Sequence, residues 1–357
     1  MKILYVYEKM PGIYQKYLSN LLSSIKSVAD VKTLSYLKSE EADFNVKTYG
    51  FRDNCQRLLY KLGLSKFKCL DLKTMATFEI IHLQHSYLHS KLIPLLGANK
   101  KNKIVITLRG ADTYIKPWVD QRWNFFYKNY GNKVDAFITM SHHQKEYLTR
   151  WGVSPERIHV IPISFGLHSN TLPKYPNEDK LKLVSAFRMT WEKNIEGTIQ
   201  FAKILKEKNI PFQYDIYGDG NDLGQLYYLI DRYNLHDQII VKGKIENDEL
   251  KIKLRDYDFF VQLSLSEALP TSVLEAQSIG LPCIVSDSNG LPEAVLANKT
   301  AIVNKYSNIT ELVDGTISLW KDKELYFQYS AAAITFVNEN FTIEREIERL
   351  NELYKKL

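Results

Sequence analysis

The sequence YDFFVQLSLSEALPTSVLEAQSIGLPCIVSDSNGLPEAV, residues 257–295, carries the clearest indication of the fold of the chain. Two of its runs, at 257–263 and 282–285, are short, apolar and rich in branched and aromatic residues, as buried strands are. The residues between these runs predict a helix that starts at Thr271 and ends before Gly280. Because a strand, a helix and a second strand in this order form a right-handed parallel crossover, the stretch predicts an α/β fold.

Two glutamates of this stretch, Glu267 and Glu275, are separated by seven residues. One lies in the loop before the predicted helix and the other about one turn inside it. We expect both side chains to face the carboxyl ends of the strands, where open α/β sheets bind ligands. The free N–H groups of Thr271 and Ser272 at the helix start favour an anion there.

Length and composition indicate a folded protein with more than one domain. The 357 residues are 45% hydrophobic and 25% charged, which predicts two domains of roughly 150 to 180 residues each. No run reaches the roughly 18 apolar residues of a membrane span, and the N-terminus is typical of a first strand rather than of a signal peptide. Three cysteines without a metal spacing fit a reducing compartment. We therefore expect a cytoplasmic protein.

Alternation of strand-like and helix-like segments predicts two Rossmann-like domains in tandem. The first domain covers residues 1–168, and the second covers residues 181–340. Residues 169–180 are rich in Pro, Asn and charge and are predicted to form a linker. The remaining residues, 341–357, have an amphipathic period of 3.6 and predict a terminal helix, for which packing back on the first domain is one option.

Charge is divided unevenly between the two halves of the chain. Residues 1–168 carry 25 Lys and Arg against 13 Asp and Glu, a net charge of +12, and the remainder carries 22 against 28, a net charge of −6. A basic first half indicates an anionic partner, such as a membrane surface, a lipid phosphate or a nucleic acid.

Residues 52–73 interleave cations with leucines and permit two interpretations. The first is a solvated helix that packs its leucines inward. The second is an interfacial segment that lays its leucines and Phe67 into an anionic bilayer, which would make the protein peripheral on the inner face of the cell membrane. We expect no binding to nucleic acid, because no recognised binding motif accompanies the charge.

Arg188 and Lys193 follow the first strand-like run of the second domain, in SAFRMTWEKN at 185–194. Two cations on such a loop can hold a diphosphate, arginine through a planar fork and lysine as a point charge, and they neutralise a departing nucleotide. An ordinary surface pair is the alternative. The turn YGDG at 217–220, which allows a close backbone approach, favours the diphosphate.

Seven motifs stand in one order between residues 188 and 293: Arg188 with Lys193, YGDG at 217–220, VKG at 241–243, SEALP at 266–270, the Glu-x7-Glu pair at 267 and 275, GLP at 280–282 and NGLPE at 289–293. In these motifs the chain resembles the retaining glycosyltransferases of family four, the largest group with the GT-B fold. The resemblance implies two Rossmann-like domains that face each other across a cleft. It also implies transfer of a hexose-type sugar, with net retention, from a nucleotide sugar to a glycan or lipid-linked acceptor in surface polysaccharide assembly.

The resemblance further implies what the site binds. The donor is expected to be a UDP-sugar, with a GDP-sugar as the alternative, and neither a metal nor another cofactor is expected. Catalysis is expected from Glu267, Arg188 and Lys193, with Arg109 and His85 as further candidates. Arg188 and Lys193 would bind the diphosphate, Glu267 the hydroxyl groups of the sugar, and Glu275 the ribose. The remaining donor residues are main-chain positions near the phosphates or the base: Gly12, Gly218, Gly243, Lys244, Ile245, Leu269, Pro270, Thr271 and Ser272.

The resemblance implies that the first domain binds the acceptor and the second the nucleotide sugar. The first domain matches the family less closely. Its glycine-rich turn is reduced to Pro11-Gly12, and Arg109 stands where the family often has a histidine. Arg109 either contacts an anionic acceptor or the donor phosphate, or it has a structural role in which it pairs with Asp112. It cannot act as a general base at neutral pH. His85 and His89 are candidates for the acceptor side, although a histidine near a strand is more often part of the core.

Two other functions remain open from the sequence. A sugar-nucleotide 2-epimerase with the same fold would convert its substrate without an acceptor. A catalytically inactive carbohydrate-binding module would fit Arg109 and the reduced Pro11-Gly12 turn, but the presence of both cations and both glutamates argues against it.

Overall fold

The structure is a computed structural model of the chain and describes residues 1–12, 16–97 and 101–357. The chain divides into two compact units. One unit contains Met1–Pro162 together with Ile347–Leu357, and the other contains Ile163–Glu346. Residues 167–180 contain neither a strand nor a helix and belong to the second unit.

The first unit is built on a parallel sheet of seven strands among the described residues, in the order β3-β2-β1-β4-β5-β6-β7. The strands are β1 (Lys2–Tyr7), β2 (Asp30–Ser35), β3 (Phe44–Asn45), β4 (Ile80–Leu83), β5 (Lys103–Thr107), β6 (Ala136–Thr139) and β7 (Ile158–Val160). Its helices are α1 (Lys16–Val28), α2 (Phe51–Lys61), α3 (Leu70–Met75), α4 (His89–Leu92), α5 (Ala111–Tyr114), α6 (Lys116–Val119), α7 (Gln121–Tyr130) and α8 (His142–Thr149).

The second unit contains a parallel sheet of six strands in its described residues, ordered β10-β9-β8-β11-β12-β13. The strands are β8 (Leu181–Ala186), β9 (Phe212–Tyr217), β10 (Ile239–Gly243), β11 (Phe259–Gln262), β12 (Cys283–Ser286) and β13 (Ala301–Asn304). The helices that follow them in the chain are α9 (Ile195–Glu207), α10 (Leu223–Arg232), α11 (Asn247–Lys253), α12 (Thr271–Ser278), α13 (Ile309–Lys321), α14 (Lys323–Asn340) and α15 (Ile343–Lys356).

The predicted strand, helix and strand of residues 257–295 are confirmed as β11, α12 and β12. The two strands are neighbours and pair in parallel, with Phe260 opposite Cys283. All four residues of each strand are buried, because helices cover both faces of a parallel sheet. The α/β class that this stretch predicts is therefore confirmed.

Two strands of the first unit, β2 and β3, were not indicated by the sequence pattern. Their sequences, DVKTLS and FN, are short and contain many polar residues. β2 nevertheless pairs with β1 along six residues. In addition, the Asp43 carboxylate accepts hydrogen bonds from the N–H and hydroxyl groups of Thr33. These strands are stabilised by pairing and side-chain hydrogen bonds more than by an apolar pattern.

The terminal helix α15 is amphipathic, as the sequence predicts. Its residues from Ile347 onward belong to the first unit. There the Tyr354 hydroxyl group is hydrogen-bonded to Tyr5 and to the ring of His82, at 2.9 and 2.6 Å. Because His82 is also bonded to Thr107, it is a satisfied core histidine.

The interpretation of residues 52–73 as one helix with its leucines packed inward is wrong. The segment forms α2 and α3, joined by a turn, and Leu58, Leu59, Leu62 and Leu64 are exposed. The residues of α2 that are buried are Asp53 and Gln56. Within the described ranges, no helix has the length and apolar composition needed to cross a membrane.

Candidate functional site

Lys193 and Glu267, both predicted to act on a sugar donor, are in direct contact in the second unit. The Nζ atom of Lys193 lies 2.5 Å from Oε1 of Glu267. The same oxygen accepts hydrogen bonds from Gln262 Nε2 at 2.6 Å and from Ser264 Oγ at 2.9 Å. The two charged side chains are 17% and 10% exposed, so they are shielded but reachable. Three donors on one oxygen fix the carboxylate and leave Oε2 as an acceptor for hydroxyl groups.

The loop that carries Glu267 is held in place by its neighbours in the fold. It follows β11, and its conformation is fixed by segments that are distant in sequence. Four hydrogen bonds tie it down: Asn194 Nδ2 to Leu263 O at 2.9 Å, Leu265 N to Glu192 O at 2.8 Å, Asn289 Nδ2 to Ser266 Oγ at 2.9 Å and Gly290 N to Glu267 O at 2.9 Å. The NGLPE turn at 289–293 therefore supports the SEALP loop at 266–270.

Arg188 lies on a loop that the YGDG turn holds closely. Gly218 has a φ of 131°, and a Cβ atom there would lie 1.9 Å from the carbonyl oxygen of Phe187. A Cβ atom on Gly220 would lie 2.3 Å from the carbonyl oxygen of Met189. These two glycines are thus required by the approach of the 187–189 loop. Arg188 itself is exposed, and no hydrogen bond joins its guanidinium to another described residue.

The start of α12 has no side-chain cap. Pro270 is the N-cap residue, and no side chain bonds to the first N–H groups of the helix, which begins at Thr271. Such groups are available to an anion. Ser272 bonds through its hydroxyl group to Oε1 of Gln262 at 3.3 Å, and Leu269 is buried beside the helix start. The helix start and Glu267 are therefore linked through Gln262.

Glu275 is buried, as a residue on the inner face of α12. Its Oε1 atom accepts a hydrogen bond from Asn247 Nδ2 at 2.9 Å, and Lys251 Nζ lies 3.9 Å away. Burial raises the pKa of the Glu275 carboxyl group above its ordinary value, while Lys251 and Asn247 lower it. A carboxylate at this position has one oxygen engaged and a second with which to accept a hydrogen bond from a ligand hydroxyl group.

Gly243 is the last residue of β10, and Lys244 and Ile245 follow it, next to the YGDG turn. The carbonyl group of Gly243 accepts from Gly218 N at 2.8 Å, and its φ of 70° is left-handed. Lys244 pairs with Asp219 at 3.0 Å, and Ile245 is partly buried. A Cβ atom on Gly243 would meet no atom within 4 Å, so close packing does not require this glycine, unlike Gly218.

In the first unit, Arg109 and Asp112 are in contact, but not through an ion pair between their side chains. Asp112 accepts hydrogen bonds from the backbone N–H group of Arg109 and from the hydroxyl group of Ser86. The guanidinium of Arg109 donates to Gln84 Oε1 at 3.1 Å and lies 5.3 Å from the ring centre of Tyr17. The expected pairing across the turn is therefore corrected: Asp112 holds the loop backbone, and the Arg109 side chain contacts other groups.

His85 is neutral and is oriented as a donor. Its Nδ1 atom accepts a hydrogen bond from the backbone N–H group of Glu8 at 3.2 Å, which places the ring proton on Nε2. Burial and the nearby charge of Arg109 lower the pKa of His85 to about 4. With Nδ1 occupied, the ring presents an N–H group rather than a free base.

His89 packs among aromatic side chains, whereas His85 lies beside the backbone of Glu8. Its ring is 4.5 Å from Trp123 and 4.6 Å from Phe126, and Nδ1 donates to the carbonyl group of Ser86. It lines a cavity of about 470 Å³ together with Tyr87 and α7 residues. His89 is therefore packed in an aromatic cluster.

Gly12 is the last described residue before the gap at 13–15, and a Cβ atom on it would meet no described atom within 4 Å. Pro11, the other residue of the reduced turn, is described and is partly buried. Within the described residues, no group of three or more His, Cys, Asp or Glu side chains has the arrangement of a metal site.

Sequence reasoning missed the residues that position the two glutamates. Gln262 and Ser264 contact Glu267, and Asn247 and Lys251 contact Glu275. Gln262 and Ser264 are isolated polar residues at the carboxyl end of a buried strand. Polar residues at that end of a strand indicate a ligand site, and this was the signal that could have identified them. Asn247 and Lys251 lie in a separate helix, where nothing local indicates the contact.

Two family models match the chain. Residues 171–336 match the model described as Glycosyl transferases group 1, and residues 40–164 match the model described as Glycosyltransferase Family 4. The two matches follow one another and fall largely in the second and first unit, respectively.

Curated relatives carry glycosyltransferase names. N-acetyl-alpha-D-glucosaminyl L-malate synthase of Bacillus anthracis is 25% identical over 315 residues, which cover 83% of this chain and 79% of that protein. WcaL of Escherichia coli, provisionally named a colanic acid biosynthesis glycosyltransferase, is 29% identical over 163 residues, which cover 44% of this chain. The chain spans 37% and 45% of the length of the two WcaL proteins that it matches.

The fold is shared with solved structures. HepE of Anabaena, in complex with UDP and glucose, superposes with a TM-score of 0.77 over 100% of both chains at 15% identity. At this identity the likeness establishes the fold, which is GT-B. From the two family matches in chain order, the named relatives and this fold, we conclude that the chain belongs to the family-4 type of glycosyltransferases.

Proposed function

We propose that the chain is a retaining, metal-independent hexosyltransferase that uses a UDP-sugar and acts on a glycan or lipid-linked acceptor of a surface polysaccharide. The contact of Lys193 with Glu267 carries this proposal. It brings a cation from the segment between β8 and α9 next to the expected sugar-binding carboxylate in the loop after β11. Gln262 then links Glu267 to the uncapped start of α12.

Leaving-group stabilisation is the first task of such a site. Glycosyl transfer leaves negative charge on the diphosphate, and preorganised donors stabilise that charge best where water is partly excluded. Lys193 and the N–H groups of Thr271 and Ser272 are such donors. Arg188, exposed on its loop, would close on the phosphates as a planar fork. These groups would do the work that a divalent metal does in other transferases.

Retention requires that the new bond form on the face from which the nucleotide leaves, or that a covalent intermediate form. Glu267 is a poor nucleophile here, because one of its oxygens already accepts three hydrogen bonds. We therefore favour a front-face attack in which the donor phosphate takes the proton of the acceptor hydroxyl group. In that step Glu267 would hold the sugar hydroxyl groups and Glu275 the ribose.

The choice of UDP is supported by the names of relatives. HepE was solved with UDP-glucose, and GtfA of Streptococcus parasanguinis is named for the use of UDP-N-acetylglucosamine. A GDP-sugar is the alternative. For the acceptor, AmsK of Erwinia amylovora is named for amylovoran biosynthesis, which supports a surface polysaccharide. A lipid-linked acceptor would place the enzyme in the cytoplasm, at the inner face of the cell membrane.

A donor screen tests the proposal. Thermal unfolding is followed with UDP-, GDP- and ADP-sugars in the presence of a chelator, and stabilisation by UDP-sugars is expected. The product formed with a glycan acceptor is then assigned by NMR, with retained anomeric configuration expected. Stabilisation by none of these donors, or an inverted product, contradicts the proposal.

The same assay separates the two other functions. A 2-epimerase would convert the UDP-sugar without an acceptor, and an inactive module would bind it without turnover. Glu267→Gln should abolish transfer, whereas Glu207→Gln serves as a matched control, because Glu207 is an exposed carboxylate that also pairs with a lysine.

A further inference from the structure

The helix α2 differs from an ordinary surface helix, because its polar residues rather than its apolar residues face the protein. Its buried residues are polar: Asp53 and Gln56. Asp53 accepts hydrogen bonds from the N–H groups of Tyr49 and Leu70 and from Arg57, and Gln56 donates to Ser65 and to the Phe67 carbonyl group. The helix is thus attached to the unit by hydrogen bonds rather than by an apolar face.

The opposite face of α2 is apolar and exposed. Phe51, Cys55, Leu58, Leu59 and Leu62 stand at the spacing i, i+4, i+7, i+8 and i+11, which forms one stripe along a helix. Phe51 is 84% exposed, Leu58 57% and Leu62 62%. Exposed apolar residues are normal singly, but a contiguous stripe of them marks a surface that another phase or molecule covers. We call these five residues the α2 stripe.

The segment that carries the α2 stripe is rich in cations. Arg52, Lys61, Lys66 and Lys68 lie within residues 51–68, and the one acidic residue of that range, Asp53, is buried and bonded to Arg57. Leu64, in the turn after α2, is 73% exposed and extends the apolar surface. The segment therefore combines an apolar face with uncompensated positive charge at its edge.

We propose that the α2 stripe and Leu64 insert at the boundary between the headgroups and acyl chains of an anionic bilayer, while the flanking cations contact lipid phosphates. This inference rests on the proposed function and deepens it, because it names the surface on which a lipid-linked acceptor is met. Insertion removes apolar side chains from water, and each lysine near an anionic surface adds to the attraction.

Charge favours a bilayer over a second copy of the chain. In a symmetric dimer the same patch meets itself, so the cations around Lys61 and Lys66 of both copies would be concentrated in one interface, where like charges repel. An anionic bilayer complements both features of the segment. The lysine stems are long enough to cover apolar surface while their charged ends reach the headgroups.

The chain carries its own reporter for insertion. Cys55 lies within the α2 stripe and is exposed, whereas Cys283 is buried. Cys69 is partly buried, and burial together with Asp71 raises the pKa of its thiol to about 11. An environment-sensitive thiol dye in a Cys69→Ser background would therefore label Cys55 selectively.

The labelled full chain is mixed with vesicles of two parts phosphatidylcholine and one part phosphatidylglycerol, and with vesicles of phosphatidylcholine alone. We expect the dye emission to shift to the blue with the anionic vesicles, and unlabelled protein to sediment with them. Leu58→Ser with Leu62→Ser should lower the partition coefficient about tenfold or more. Lys66→Gln and Lys68→Gln should each lower it about fivefold.

Exposed leucines elsewhere provide the control. Leu167 and Leu172 are 74% and 78% exposed in the second unit, so Leu167→Ser with Leu172→Ser removes at least as much exposed apolar surface outside the α2 stripe. This control should bind anionic vesicles as the wild type does. Because the changed leucines of both double variants are exposed, their replacement leaves the core intact.

UDP binding in the same preparations keeps this inference separate from the proposed function. Absence of vesicle binding with UDP binding intact overturns the membrane surface alone, and equal losses in both leucine variants overturn it as well. Failure to bind UDP, with vesicle binding retained, overturns the donor proposal alone. If sedimentation velocity shows a dimer that Leu58→Ser with Leu62→Ser abolishes, the stripe is a contact between copies and the bilayer assignment is wrong.

Discussion

Lys193 contacts Glu267 across 74 positions of sequence, and the oxygen of Glu267 that it reaches also accepts hydrogen bonds from Gln262 and Ser264. The carboxylate is therefore oriented before any donor arrives. Preorganisation of this kind reduces the reorganisation that binding would otherwise require. Gln262 has a further contact with Ser272 in the first turn of α12, so it joins the acidic group to the helix start.

Gln262→Leu should impair transfer more than donor binding. Leucine is close in size but cannot donate to Glu267, so the carboxylate loses one of the bonds that orient it. We expect kcat to fall about ten- to hundredfold, with little change in the KM for the donor. Gln277→Leu is the control, because Gln277 is also a buried amide of this unit but bonds to the backbone of Val273 and Ala294. Equal kcat losses in the two variants would show that Gln262 acts only on stability.

Replacement of Glu275 by Gln should change how stability depends on pH. Burial raises the pKa of Glu275 above the ordinary 4.5, so the folded state binds this proton more tightly than the unfolded state does. The stability that the protonated Glu275 carboxyl group contributes is present at low pH. It is lost as the pH rises through the pKa that this group has in the folded state. The wild type should therefore lose stability relative to Glu275→Gln between pH 4.5 and neutral pH, as measured by urea denaturation at a series of pH values.

Glu249→Gln is the control for that series, because Glu249 is an exposed carboxylate on the helix that contacts Glu275. Its difference in stability from the wild type measures the effect of removing a carboxylate from α11 alone. The assignment of Glu275 to the ribose has its own readout: the variant should bind UDP more weakly and should no longer distinguish UDP from its dideoxyribose analogue. A constant stability difference across pH, or retained discrimination between the two nucleotides, would count against these roles.

Gly218→Ala should destabilise the second unit. The new Cβ atom would lie 1.9 Å from the carbonyl oxygen of Phe187. The backbone φ of 131° is also one that residues with a Cβ atom rarely adopt. We expect the free energy of unfolding to fall by about 2 to 4 kcal/mol. Gly224→Ala, in α10, meets no atom within 4 Å and should instead raise it by up to about 1 kcal/mol. Denaturant titration distinguishes the two, and similar values for both would contradict the packing argument.

Arg109→Gln should raise the pKa of His85 from about 4 toward its ordinary 6.5. The change removes a positive charge, but burial is the larger cause of the lowered pKa, so the value should remain below 6.5. Titration of the imidazole carbon resonances by NMR measures it directly. His159, whose pKa is lowered by burial and by lysines, is the control and should not move. An unchanged His85 would mean that the Arg109 charge does not reach the ring.

Much of the fold was predictable because local patterns carried it. The strands within residues 257–295 were predicted correctly, because the short apolar runs FFV and CIV on either side of a glycine-terminated helix are typical of buried strands. β2 was not predicted, because it is stabilised by pairing with β1 and by hydrogen bonds to Asp43 rather than by an apolar pattern. The residues expected at the donor were concentrated in loops after strands, where parallel sheets bind ligands, whereas Gln262 and Asn247 act through contacts that no local motif encodes.

Three properties of the chain are encoded locally in its sequence: the alternation of strands and helices, the ordered motifs and the amphipathic character of residues 52–73. These follow from periodicity and backbone chemistry, which act over a few residues. Which oxygen of Glu267 is engaged and which face of α2 is buried depend instead on tertiary contacts. An amphipathic period shows that a helix has two faces, but which face meets the protein depends on partners that come from elsewhere in the chain. In α2 those partners are polar, so the leucines face outward.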